Sequence, residues 1–112
     1  MEGCLFCKII NKEIPGDIVY EDDDILAFND IDPKAPVHVL IIPKQHIPTF
    51  NDIDDPAIIG KITRIIQKIA KEKNIDKGGY RVVANCNKNG GQAVYHLHYH
   101  LLGGRELGWP PG

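Results

Sequence analysis

Every second residue from His96 to His100 is a histidine, within the run Tyr95-His96-Leu97-His98-Tyr99-His100-Leu101-Leu102. Side chains of a β-strand alternate between its two faces, whereas a helix returns to one face every 3.6 residues. The alternation predicts a strand with three imidazoles on one face and Leu97, Tyr99 and Leu101 facing a core on the other. A row of imidazoles is costly to pack as ordinary core, and histidine titrates nearest neutral pH. The histidine face therefore points to chemistry.

The rest of the chain supplies the frame for such a strand. Leu5 to Asn11 reads as a short helix, stopped before Pro15-Gly16. Asp17–Tyr20 and Ile25–Asn29 read as a hairpin turning through Glu21-Asp22-Asp23-Asp24. The prolines of residues 30–36 mark a loop, and the β-branched, mostly apolar Val37–Ile42 marks a central strand ended by Pro43. Ile58, Ile59, Ile62, Ile65, Ile66 and Ile69 recur at helical spacing, with Lys61, Arg64, Lys68 and Lys71 on the opposite face. Asp54 or Asp55 suits the N-cap of this long helix and Pro56 its first turn. The isoleucine stripe is core, with each buried isoleucine contributing roughly 1.5–3 kcal/mol. Tyr80–Asn85 reads as a further strand, Cys86–Gln92 as a polar flexible loop, and residues 103–112 as an extended tail. This order favours an α+β fold, an antiparallel sheet of about five strands with one long and one short helix on one side.

A chain of 112 residues suits a single domain, here 1–112, and its 43% hydrophobic content fits a globular protein. With 13 basic and 15 acidic residues the net charge is −2, which gives no general electrostatic reason to bind nucleic acid or an anionic membrane. A small anionic ligand needs only a few local charges. The start lacks the basic and apolar regions of a signal peptide, and the apolar run Val37–Pro43 is too short to span a bilayer. A soluble, cytoplasmic protein with reduced cysteines is expected.

Three readings suit three histidines on one face. A neutral imidazole nitrogen can attack phosphorus to form an N-phosphoryl intermediate, while neighbouring imidazoles assist the leaving group and hold phosphoryl oxygens. Imidazoles can instead share a metal ion, or simply be hydrogen-bonded sheet residues. Gly90-Gly91-Gln92, just before the strand, adds backbone N–H groups that can approach an anion closely. The G-x-x-x-x-G-K-[ST] run of a P-loop is absent, as is the H-x-H-x-D-H spacing of binuclear metallohydrolases.

His96-Leu97-His98-Tyr99-His100-Leu101-Leu102 resembles the H-φ-H-φ-H-φ-φ motif of the histidine triad superfamily. The resemblance takes in Phe6-Cys7-Lys8-Ile9-Ile10, Ile14-Pro15, Leu26-Ala27-Phe28 with Asp30-Ile31, and Ala35-Pro36-Val37-His38-Val39-Leu40-Ile41-Ile42-Pro43-Lys44. It continues through Gly90-Gly91-Gln92 and Leu102-Gly103-Gly104. The tail Trp109-Pro110-Pro111-Gly112 is similar to the Hint branch, the nucleoside phosphoramidases.

This resemblance implies a homodimer, with the sheet extended across the two-fold axis, that hydrolyses purine nucleoside 5′-phosphoramidates of the AMP-lysine type. It makes His98 the nucleophile and His100 the residue that contacts the phosphate and helps the leaving group. His96 and His38 become partners that set tautomer and orientation. Asp30 would bind the ribose hydroxyls, and Leu5, Phe6, Ile9, Phe28, Ile31 and Leu40 would enclose base or ribose. Asn85, Gly91, Gln92 and Ala93 match positions near the phosphate, and Trp109 matches a tail residue that reaches the neighbouring subunit's site. No metal is needed for this chemistry. Ala93 stands where such proteins often carry Ser or Thr; losing that donor can cost about 2.7–4 kcal/mol of catalysis, so a slower enzyme is expected. Cys4 and Cys7 form a C-x-x-C pair that, with His46 and His96, matches a structural zinc set found in some bacterial members, and Cys2His2 suits tetrahedral zinc. The rivals are a related dinucleoside polyphosphate hydrolase, which the Trp-Pro-Pro-Gly tail argues against, and a nucleotide-binding module with little turnover.

Overall fold

A computed structural model describes residues 3–112. The elements run in the order α1 (Leu5–Ile10), β1 (Ile18–Glu21), β2 (Ile25–Asn29), β3 (Val37–Pro43), a 3-10 turn (Phe50–Asp52), α2 (Ala57–Glu72), β4 (Tyr80–Val83), α3 (Asn87–Gly90) and β5 (Tyr99–Gly103). The five strands form one antiparallel sheet ordered β1-β2-β3-β5-β4. The last strand thus enters between β3 and β4, which places His100 opposite Leu40 and Val83.

The two faces of the sheet carry separate cores. Ile25, Ala27, Val39, Ile41, Tyr99 and Leu101 point to one side, where Ile62, Ile66 and Ile69 of α2 cover them. Leu26, Phe28, Leu40 and Ile42 point to the other, where Phe6 and Ile9 of α1 cover them. The two helices therefore flank the sheet, a correction to the expectation that both lie on one side. The cause is legible in β2 and β3, whose residues from Ile25 to Phe28 and from Val39 to Ile42 are apolar at every position and buried on both faces. At the start of α2 the Asp55 carboxylate accepts the Ala57 N–H at 3.0 Å, but Pro56 itself stands at the N-cap, one position before the expected first turn, with its fixed φ of −66° already helical. Gly103 is the last residue of β5 rather than the first of the tail. A Cβ there would lie 2.7 Å from Ile75 Cδ1, so only glycine lets the strand end this close to the segment after α2.

Two further expectations are corrected. The Cys86–Gln92 segment contains the single helical turn α3, entered by Asn87 at φ 60° and closed by Gly91 at φ 81°. The histidine segment is a regular strand only from Tyr99 onward. Continued pairing would set Leu97 opposite Pro43, which has no N–H to donate. The Leu97 N–H turns instead to the Ile47 carbonyl at 2.6 Å, and residues 96–98 bend away from the ladder while keeping their alternation. Leu97 joins the α2 core; His96 and His98 join the α1 face.

Candidate active site

Between α1, the loop before β1 and the ends of β2 and β3 lies a cleft of about 720 Å³. Leu5, Phe6 and Ile9 of α1 form one wall, and Phe28, Ile31 and Leu40 form the other. Asp30 sits at its rim, and His98, His100 and Ala93 close its polar end. Its volume lies within the roughly 300–1,000 Å³ of small-molecule sites. Ile31 is wholly exposed, an apolar side chain at the mouth with nothing of its own chain to cover it.

Hydrogen bonding fixes the tautomer of each imidazole. The Lys34 backbone N–H donates to His38 Nδ1 at 3.0 Å, so the proton of neutral His38 is on Nε2. That N–H donates to His100 Nδ1 at 2.9 Å, which leaves the proton of His100 on Nε2. Asp30 Oδ2 lies 3.4 Å from the same His38 nitrogen, while the Asp32 N–H occupies Asp30 Oδ1 at 2.8 Å. His98 Nδ1–H donates to the His96 carbonyl at 2.7 Å, so His98 Nε2 carries a lone pair. Phe6 packs edge-to-face on the His98 ring, 5.0 Å between centroids. One end of the cleft thus presents a lone pair on His98 and a donor chain ending at His100.

Burial keeps these groups neutral. It lowers the pKa of His98 and of His38, against the opposing Asp30 charge. His100 is brought down to about 4 by burial, reinforced by His98 and His38. A neutral imidazole is the form that can act as a nucleophile.

The His96 ring points away from the cleft. Its Nε2–H donates to the Pro43 carbonyl at 2.8 Å, the group left free where the ladder stops. Its Nδ1 lone pair faces Cys4 Sγ at 3.4 Å and Cys7 Sγ at 3.6 Å. His46 Nδ1 lies 3.3 Å from Cys7 Sγ, and the four donor atoms all lie within 4.8 Å of one another. A zinc ion bonded at about 2.0–2.3 Å sets tetrahedral ligands roughly 3.3–3.8 Å apart, so these residues fit the ion. Burial and the Cys4 neighbour push the Cys7 thiol up from its ordinary value, a tendency that a bound cation reverses.

Some expected residues lie elsewhere. Gln92 is a correction: its side chain is buried and committed to the protein. Its Oε1 accepts the Asn87 N–H at 2.9 Å, and its amide donates to the carbonyls of Pro48 at 2.8 Å and Val94 at 3.1 Å. It holds the loop before the histidines rather than offering its amide to a ligand. Asn85, Gly91 and Trp109 do not line the cleft, and Trp109 is 82% exposed. Val94, Asn29 and the turn Ile14-Pro15-Gly16-Asp17 do line it and were missed by sequence reasoning. Gly16 was the available signal, since a Cβ there would meet Ile9 Cγ2 at 2.9 Å.

Residues 11–107 match the HIT domain. The chain belongs to the histidine triad, or HIT, family. It is 51% identical over 109 residues to the purine nucleoside phosphoramidase of Escherichia coli strain K12, covering 96% of this chain and 92% of the relative. Among solved structures, a HIT family hydrolase from Legionella pneumophila superposes with a TM-score of 0.95 at 53% identity, covering 98% of this chain and all of that one. A histidine triad protein from Clostridium difficile does so with a TM-score of 0.93 at 52% identity, covering 96% of each chain. The matched span includes His38, His96, His98 and His100. Among the described residues no helix is long and apolar enough to cross a membrane.

Proposed function

We propose that this HIT protein is a purine nucleoside phosphoramidase that works through a nucleotidyl-histidine at His98. The observation that carries the reading is the free lone pair of neutral His98 Nε2 at the polar end of an apolar cleft. The 51% identity to a purine nucleoside phosphoramidase supports the reaction class. The purine and ribose lie between the α1 wall and Phe28, Ile31 and Leu40, with Asp30 accepting from the ribose hydroxyls. His98 Nε2 attacks the phosphorus in line, the P–N bond breaks, and the amine departs with that electron pair and takes up a proton from solvent, which the attacking water of the second step returns. His98 keeps its Nδ1 proton throughout, and the His96 carbonyl stabilises the charge that spreads over the ring. His100 Nε2–H, oriented by His38, donates to the phosphoryl oxygens. Water then attacks phosphorus, the N–P bond breaks, and nucleoside monophosphate and His98 are released. The backbone amide of Ala93 completes the phosphate surroundings, with Ala93 lacking a hydroxyl.

A structural zinc belongs to the same reading, held by Cys4, Cys7, His46 and His96. When bound it supplies a cross-link between the start of α1 and the bend before β5. The reacting atoms do not require it. The active form is a cytoplasmic homodimer. β4 is an edge strand with Tyr80 and Val82 exposed, and pairing it with a second copy would cover that edge and bring Trp109 to the neighbouring site.

The test is turnover of a fluorogenic adenosine 5′-phosphoramidate by wild type, with and without EDTA, and by His98→Ala. Turnover is expected to survive EDTA, while the melting temperature falls as the metal leaves. His98→Ala is expected to lose at least about 10³-fold in kcat/KM. AMP binding without turnover in wild type would sink the phosphoramidase and leave a nucleotide-binding module.

A further inference from the structure

The donor chain that ends at His100 Nε2–H begins outside the cleft. Its first link is the Lys34 N–H on His38 Nδ1, at 3.0 Å. This link decides every proton downstream. With its proton on Nδ1, His38 would set two N–H groups against each other there, and its Nε2 would accept from His100 Nδ1–H. His100 would then turn a lone pair, rather than an N–H, toward the phosphoryl oxygens. Asp30 Oδ2 also favours the productive tautomer of His38, from a longer 3.4 Å. The chain therefore depends on where the backbone of Lys34 is held.

Lys34 lies in the loop between β2 and β3, outside the ladder. Its ammonium reaches Asp32 of the same loop at 2.6 Å, with both side chains largely exposed, so that pair anchors the loop weakly. A firmer tie comes from the tail. Arg105 Nη2–H donates to the Lys34 carbonyl at 2.8 Å, across 71 positions of sequence, and Arg105 Nη1–H donates to the Glu106 carbonyl at 2.9 Å. One planar fork thus bridges a loop carbonyl and a tail carbonyl, a geometry that suits a guanidinium. Gly104 lets the fork come this close. Its φ is 91°, and a Cβ there would lie 2.9 Å from Pro36 Cβ, so a side chain would push the tail off the loop. Resting on the phosphoramidase reading, we propose that Arg105 is a positioning residue for the reaction. By holding Lys34 it fixes the tautomers of His38 and His100, and so keeps an N–H aimed at the phosphoryl oxygens.

Arg105 is exposed, so it can be replaced without disturbing either core. Arg105→Met keeps the length of the side chain and removes its donors, whereas Arg105→Lys keeps a charged donor. With isotope-labelled histidine at neutral pH, the NMR shifts of the ring nitrogens report which one carries the proton. Wild type and Arg105→Lys are expected to hold His38 and His100 as single Nε2–H tautomers, and Arg105→Met to mix in the Nδ1–H form of both rings. Arg81→Met frees the tail at another point, the Gly108 carbonyl, and should leave both rings as in wild type. On an adenosine 5′-phosphoramidate, Arg105→Met should lose about tenfold in kcat, with KM within about twofold, a part of the roughly 10²–10³-fold that one lost donor costs. Arg105→Lys should restore most of that loss. Unchanged tautomers in Arg105→Met would overturn the proposal, and so would a mixture in Arg81→Met, which would trace the effect to a loose tail. A rise in KM alone would also overturn it, leaving Arg105 as a brace for Asp30 and Ile31. If wild type turns nothing over, the phosphoramidase reading falls, while the ring nitrogens still decide whether Arg105 sets the tautomers.

Discussion

The two faces of the sheet are built on opposite rules. On the α2 face Ile62, Ile66 and Ile69 meet Ile25, Val39, Ile41 and Leu101 through non-directional contacts, and any one of them is a replaceable share of a common core. On the α1 face, every histidine of the row has one nitrogen committed to one named atom: the Pro43 carbonyl, the His96 carbonyl or the His38 ring. The first face stores stability and tolerates repacking. The second stores protonation states, and removing a single partner changes which atom carries a proton. Stability and chemistry are therefore separable by substitution, although the faces share strands one residue apart.

The sharpest break is His98→Ala, already set against the turnover assay: its loss of activity should far exceed any fall in stability. The converse is Ile69→Ala, which opens a cavity in the fully buried α2 face. It should cost about 2–5 kcal/mol in denaturant unfolding and leave kcat/KM of the folded protein near wild type. A large loss of kcat/KM there would end the separation of the faces.

Acid sharpens the comparison on the histidine face. His100 is faced by His38 from β3, Asp30 from the end of β2 and His98 from its own segment, and its pKa lies at about 4. The unfolded chain protonates this group near 6.5. Between those values the unfolded state binds the proton and the folded state does not, so stability is present above pH 6.5 and is lost as pH falls toward 4. Turnover should hold through pH 6 and fall on an acid limb below it. Urea unfolding and kcat/KM across pH 4–8 check both; an acid limb centred above 6.5 would contradict neutral, buried imidazoles.

Two smaller effects follow. Ala93→Ser adds a hydroxyl to the cleft wall and should raise turnover several-fold, within the roughly 2.7–4 kcal/mol that one such donor is worth. An unchanged rate would show that the hydroxyl is not missed. Tyr99 carries its hydroxyl into the α2 face, where among the described residues it has no partner. Tyr99→Phe should therefore raise stability by about 1 kcal/mol without altering activity. A fall in stability would reveal a hydrogen bond supplied across a subunit contact.

Much of this was legible in the sequence because local periodicity carried it. Period two from His96 to Leu101 separated the imidazoles from the core residues, and the isoleucine spacing marked α2 from Ile58 to Ile69. Ten of the residues read from the motif blocks meet in the cleft: Leu5, Phe6, Ile9, Phe28, Asp30, Ile31, Leu40, Ala93, His98 and His100. What stayed hidden was non-local. The insertion of β5 between β3 and β4 depends on register across some sixty residues. Gln92 sat in a glycine-rich run that read as an anion loop, but its three bonds reach Pro48, Asn87 and Val94. Nothing in residues 5–10 says which face of a doubly apolar sheet they will cover.

The tautomer chain makes this protein selective toward electrophiles. The second nitrogens of His38 and His100 are already occupied by N–H donors, and that of His96 faces two sulfur atoms. His98 Nε2 alone in the row offers an uncommitted pair of electrons to the cleft. A nucleoside bearing a reactive 5′-sulfonyl or acyl group in place of phosphate would acylate or sulfonylate that one atom. The fold thus marks a single imidazole for covalent inhibition before any inhibitor is bound.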